Sequence, residues 1–106
     1  MPVAKTLTGT SFQYSGSLAA GLTVEFATST LKISREIIRV IRNEITNRTP
    51  VRMGACRKPL VPNSVGETLR LGYGVAPQVM SYVLPLLVEE GFCAVSDRKP
   101  FVIHRK

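Results

Sequence analysis

The sequence is short of the side chains from which metal, redox and catalytic sites are built. Its only cysteines are Cys56 and Cys93, and His104 is its single histidine. Two cysteines so far apart give no disulfide framework, and the three residues together lack zinc-ligand spacing. They read as two free thiols in a reducing compartment beside an unpaired histidine. Cys56 is followed by Arg57 and Lys58, whose charge would lower a thiol pKa, but a lone thiol beside cations is no catalytic centre. No phosphate-cradling glycine motif and no Ser-His-Asp order is present. Glu89 and Glu90 are neighbours on an expected helix, where adjacent residues point about 100° apart and do not clasp one ligand. The chain is therefore expected to be no enzyme and to use no cofactor or metal.

Acidic residues are also scarce. Seven Asp and Glu stand against fourteen Lys and Arg, a formal charge of +7. Such an imbalance favours a polyanionic partner, because a positive field concentrates phosphate ligands and speeds their encounter. A long apolar run is missing as well. The longest uncharged stretch, Thr6–Val24, is rich in Thr, Ser and Gly, so it does not read as a membrane span. No continuous apolar block follows Lys5, which argues against a secretory signal. These absences predict no membrane partner and a cytoplasmic location. With 106 residues and 44% hydrophobic content, what remains is a chain able to bury one modest core.

Two patterns meet near Thr30. Residues 1–30 carry only Lys5 and Glu25 as charges. Phe12 and Tyr14 alternate with polar neighbours, as do Leu22, Val24 and Phe26. Period two marks half-buried strands, so a β-hairpin arm is expected across residues 1–30. From Thr30 the period lengthens. Ile33, Ile37, Ile41 and Ile45 recur every fourth residue, which predicts a helix over about 30–47. Lys32, Arg35, Arg39 and Arg42 fall in a narrow arc beside that apolar face and form a candidate phosphate-facing stripe.

Three prolines and a glycine make residues 47–63 a loop or short extended pieces. Its Arg48, Arg52, Arg57 and Lys58 keep it positive. Ser64 and Glu67 have capping-box spacing, so a short helix is predicted from Val65 to about Leu71. Gly72 and Gly74 punctuate a turn, and a second helix follows from Ala76 or Pro77 to Gly91. Met80, Val83, Leu84 and Leu87 supply its apolar stripe, with Pro85 predicting a kink. Two strands, FCAVSD and PFVIHR, then flank the turn Asp97-Arg98-Lys99-Pro100. Ile37, Ile41, Leu69, Val83, Leu84 and Leu87 are the expected core.

Helix, loop, short helix, glycine turn, helix and basic hairpin follow one another in the order of a winged helix-turn-helix. The segment from Val61 to Arg105 resembles the DNA-binding domain of GntR- or MarR-type bacterial regulators. The resemblance rests on Gly74-Val75, on the Met80/Val83/Leu84/Leu87 stripe and on Glu90-Gly91-Phe92, within residues 31–105. It implies an α+β fold, a winged helix of three helices and a two-stranded wing over 31–106, carrying the N-terminal hairpin. It also implies a small transcriptional regulator acting on duplex DNA as a homodimer, with RNA as a further possible target.

On that reading the second helix offers Gln78, Ser81 and Tyr82 to base edges, since amide and hydroxyl groups can pair there. Arg98, Lys99 and Arg105 of the wing, with Lys106, would hold the phosphate backbone, joined by Arg57 and Lys58 of the loop and by Arg35 and Arg39 of the first helix. The helix lacks any Arg or Lys before Gly91. That bareness favours the alternative of a winged helix used for protein–protein contact.

Overall fold

The computed structural model describes residues 2–55, 60–98 and 101–106. It is an α+β structure of three helices and two antiparallel sheets. The first sheet is a meander of β1 (Val3–Lys5), β2 (Ser11–Ser17), β3 (Gly21–Glu25) and β4 (Thr30–Ile33), paired in sequence order. Its register sets Ala4 against Phe12, Tyr14 against Val24, Val24 against Leu31, and Leu22 against Ile33. Because alternate residues of a strand share a face, these apolar side chains collect on one side. Phe12, Leu22, Val24 and Ile33 are buried there.

The expected two-stranded arm is thus four-stranded, and the stretch Thr30–Ile33 is a strand where a helix was predicted. Ile33 explains the difference. It is the first member of the four-residue isoleucine period, yet it also shares a strand face with half-buried Leu31 across exposed Lys32, so both periods run through it. Ser34 decides between them. Its Oγ accepts a hydrogen bond from the Ile37 N–H at 3.3 Å, capping helix α1, Arg35–Arg48, as serine commonly does.

After α1 come β5 (Val51–Arg52), α2 (Val65–Tyr73), one 3-10 turn over Pro77–Val79, α3 (Met80–Glu90), β6 (Cys93–Val95) and β7 (Val102–Arg105). The second sheet has the order β5-β7-β6. Strand β5 lies in the proline-rich stretch, where short extended pieces were one of the expectations. The residue after it is stitched on both sides: Met53 N–H donates to the Phe101 carbonyl at 3.0 Å, and Gly66 N–H donates to the Met53 carbonyl at 3.1 Å. Gly66 is required by that approach, since a Cβ there would collide with the Gly54 carbonyl.

Ser64 caps α2 by accepting from Glu67 N–H at 3.0 Å. The Glu67 carboxylate reaches back to the Asn63 N–H at 3.1 Å, one residue beyond the usual capping-box donor. Helix α3 runs as one helix through Pro85. Gly91 ends it in the left-handed conformation, with Gly91 N–H bonded to the Val88 carbonyl and Phe92 N–H to the Leu87 carbonyl, both at 3.0 Å. That pair of bonds is the Schellman arrangement.

One buried apolar cluster joins the meander to the helices. It runs from Phe12, Leu22 and Val24 through Ile38, Ile41 and Ile45 to Leu69, Met80, Val83, Leu84, Leu87 and Ile103. Of the expected core, Ile41, Leu69, Val83, Leu84 and Leu87 are fully buried, while Ile37 is only partly so. Ile38 and Ile45 complete the buried face of α1.

Candidate nucleic-acid interface

Helix α1 is amphipathic, and its polar side is where the cations are. Arg35 and Arg39 are exposed and Arg42 is partly so, at spacings of four and three residues that place them on one stripe. Arg35 Nε donates to Glu36 at 3.3 Å. The Glu36 carboxyl is held below its usual pKa by a backbone hydrogen bond in the first turn and then by Arg35. Arg39 forms no ion pair among the described residues. Arg42 makes a bidentate bond to the Glu90 carboxylate at 3.0 and 2.9 Å, tying α1 to the end of α3. Arg48 is turned inward instead, donating to Glu44 at 2.9 Å and Thr68 at 3.0 Å. It is a strut between α1 and α2 and leaves the stripe.

Arg105 extends the stripe from the other sheet. Its guanidinium carbon lies 3.9 Å from the centre of the Phe92 ring, and that of Arg42 lies 4.9 Å from the same centre. Nη1 of Arg105 also donates to the main-chain oxygens of Phe92 and Lys106, each at 2.7 Å. Its own N–H donates to Thr49 Oγ1 at 2.9 Å, just past the end of α1. Two cationic side chains thus share one aromatic ring, an attraction of charge for the ring face. Lys106 is exposed beside them.

This placement divides the expected wing. Arg105 pairs with Cys93 at the base of the β6–β7 hairpin, whereas Arg98 is exposed near the turn at its other end, where its carbonyl accepts from Ser96 Oγ at 3.2 Å. Arg105 therefore belongs with α1 and not with Arg98. Arg57, Lys58 and Lys99, expected phosphate contacts, lie outside the described residues, as does Cys56.

The expected base-reading face is not an exposed face. Tyr82 is packed between two aromatic rings, with centroids 5.1 Å from Phe12 and 5.7 Å from Phe26, both edge-on. Ser81 is half-buried and borders a cavity of about 570 Å³, shared with the Thr6–Thr8 turn, Met53 and Phe101. Gln78 has its Oε1 buried, with no partner among the described residues. The cause is the meander. Its inner face needs an apolar cover, and α3, uncharged from Met80 to Val88, supplies one. A helix apolar all round is a buried helix. That signal was present in the sequence, in the absence of any charge between Arg70 and Glu89.

No described group of three His, Cys, Asp or Glu side chains could hold a metal ion. Cys93 is buried and unbridged, and burial pushes its thiol pKa up, against the pull of nearby Arg105. That is the opposite of the thiolate character a reactive cysteine needs. His104 is exposed on β7. Among the described residues no helix is long and apolar enough to cross a membrane. Compared with family models, with curated proteins and with solved structures, the chain matches none.

Proposed function

We propose that the chain is a winged-helix protein that binds the phosphate backbone of nucleic acid through the exposed side of α1 and the base of its hairpin. The winged-helix reading is supported by the element order α1-β5-α2-α3-β6-β7 and by a sheet in the order β5-β7-β6. The binding reading is carried by one observation. Arg35, Arg39 and Arg42 share a stripe that Arg105 and Lys106 extend from a different strand. Separate parts of the chain thus converge their cations on one surface, in a protein of charge +7.

The groups on that surface recognise phosphate, and phosphate contacts position a protein without reading sequence. With Tyr82 packed against the meander and Gln78 and Ser81 half-buried, backbone binding takes the place of an operator-reading regulator. The second reading, protein contact, is favoured by the same covered helix, because a winged helix packed in this way has no recognition face left for base edges.

A fluorescence-anisotropy titration at three salt concentrations tests the proposal. The unmodified protein should bind a labelled oligonucleotide with an affinity that falls steeply with salt. Changing Arg35 and Arg39 together to Ala should weaken binding and flatten the log–log slope. The change should be about 0.9 for each phosphate no longer neutralised on B-DNA, or about 0.7 on a single strand. Arg98→Ala should do less, since Arg98 stands apart from the stripe. A protein that ignores nucleic acid at low salt would leave protein contact as the reading.

A further inference from the structure

Arg105 is held in a way that bulk charge does not require. A surface arginine ordinarily keeps its rotamer freedom. Here the guanidinium lies at 3.9 Å from the Phe92 ring centre and is pinned by two main-chain bonds of 2.7 Å through one nitrogen. Its backbone is fixed too, by the N–H bond to Thr49. The residue is nevertheless exposed. Nε and Nη2 make no hydrogen bond among the described residues. The result is a planar cation held over an aromatic ring, with Nε and Nη2 left without a partner among the described residues.

We infer that Arg105 on Phe92 is a stacking plate for an unpaired nucleobase, so that the ligand of the basic stripe is single-stranded nucleic acid. The inference rests on the backbone-binding reading and adds the substrate class to it. Guanidinium planes accept unstacked bases much as aromatic rings do, and single-strand binders combine a cationic track with such plates. In a duplex the bases are stacked on one another and cannot lie on a plate at the protein surface. The track is α1, where Arg39 has no ion-pair partner among the described residues, and Arg42 sits on the same Phe92 ring as the plate. A strand running along α1 would bring successive bases past Arg105. Three features argue that the plate serves more than packing. The residue is exposed, it lies beside the stripe, and contacts within the chain already hold it.

The test compares three labelled probes of equal length on the unmodified protein: an oligodeoxyadenylate, the same backbone without bases, and a blunt duplex. The single strand should bind about fivefold or more tightly than the abasic strand, the loss expected when a stacked base is removed. It should also bind more tightly than the duplex. Arg105→Lys keeps the charge and removes the plane. It should lower affinity for the base-bearing strand toward that for the abasic one while leaving the salt slope nearly intact. A merely structural arginine would show neither the base dependence nor the selective effect of lysine. Equal binding of all three probes, with the salt slope preserved, would overturn the stacking plate and leave backbone binding standing. Tighter binding of the duplex would overturn it as well. Failure to bind any probe at low salt would overturn both readings together. Because the probe comparison needs no variant, a poorly folded lysine mutant would not spare the proposal.

Discussion

Helices α1 and α3 are near neighbours in the fold, joined by the Arg42–Glu90 ion pair, and they use their surfaces in opposite ways. Helix α1 buries Ile38, Ile41 and Ile45 and presents Arg35, Arg39 and Asn43 outward. It is a two-faced helix with one packed side and one solvated side. Helix α3 has no such division. Met80, Val83, Leu84, Leu86 and Leu87 are buried, Ser81, Tyr82, Pro85 and Val88 are partly so, and only Glu89 and Glu90 at its end are exposed. Its second face is occupied by the meander through Phe12 and Phe26. Available surface, more than position in a motif, decides which helix can meet a partner. In this protein the helix expected to read base edges is a core element, and α1 carries the exposed charge.

The contrast is broken most forcefully by truncation. Leu84→Ala in α3 should cost about 2–5 kcal/mol, the range for a cavity left at a packed leucine. Arg39→Ala in α1 should change stability by no more than about 0.5 kcal/mol, as surface substitutions usually do. Denaturant unfolding of both variants measures the difference directly. Comparable losses would mean that α1 is packed on both sides or that α3 is not.

The part of this arrangement that the sequence made legible is the part set by short-range signals. Ser64 with Glu67 and Gly91 follow from local backbone demands, and α2 and the end of α3 fall within about two residues of expectation, whereas α3 starts at Met80, after a 3-10 turn over Pro77–Val79 where the helix was expected to begin. Strands β6 and β7 were legible for the same reason. The meander was half legible, since period two marked β2 and β3 but gave no partner for either edge. β4 was hidden because Ile33 satisfies a strand period and a helix period at once, and only Ser34 separates them. The site was less legible still. The arc of Arg35, Arg39 and Arg42 is a property of one helix and could be read from spacing. Its junction with Arg105 depends on Phe92 and Thr49 meeting across the fold, and no local pattern encodes that. The covering of Tyr82 was a long-range matter too, although the uncharged length of α3 hinted at two buried faces.

A smaller effect sharpens the claim about the second face of α3. Phe12→Ala and Tyr82→Ala, alone and combined, form a double-mutant cycle across the seam between meander and helix. Their rings are 5.1 Å apart and edge-on, a geometry worth about 0.5–1.5 kcal/mol beyond area burial. The coupling energy from thermal or urea unfolding should fall in that range. Strictly additive losses would place Tyr82 away from the meander in solution and return it to the protein surface.

Another small stability effect best separates the two helices' roles, because it lies on the bond between them. Arg42 and Glu90 form a bidentate pair whose side chains are 28% and 44% exposed. Exposed pairs of this kind contribute about 0.2–1 kcal/mol, so Glu90→Gln should lower stability only slightly. Its effect on binding should have the opposite sign. The change removes a negative charge from the rim of the basic stripe and frees the Arg42 guanidinium for phosphate. Affinity for a single strand should then rise, and the salt slope should steepen by up to about 0.7, the share of one further phosphate. Arg42→Ala breaks the same pair but takes the cation away, so it should weaken binding and leave Glu90 unopposed beside Phe92. Anisotropy titrations of the two variants at several salt concentrations therefore distinguish a strut from an interface. If both substitutions weaken binding equally, the pair acts only by holding α1 against α3. If they move binding in opposite directions, Arg42 is a ligand-facing group that Glu90 restrains.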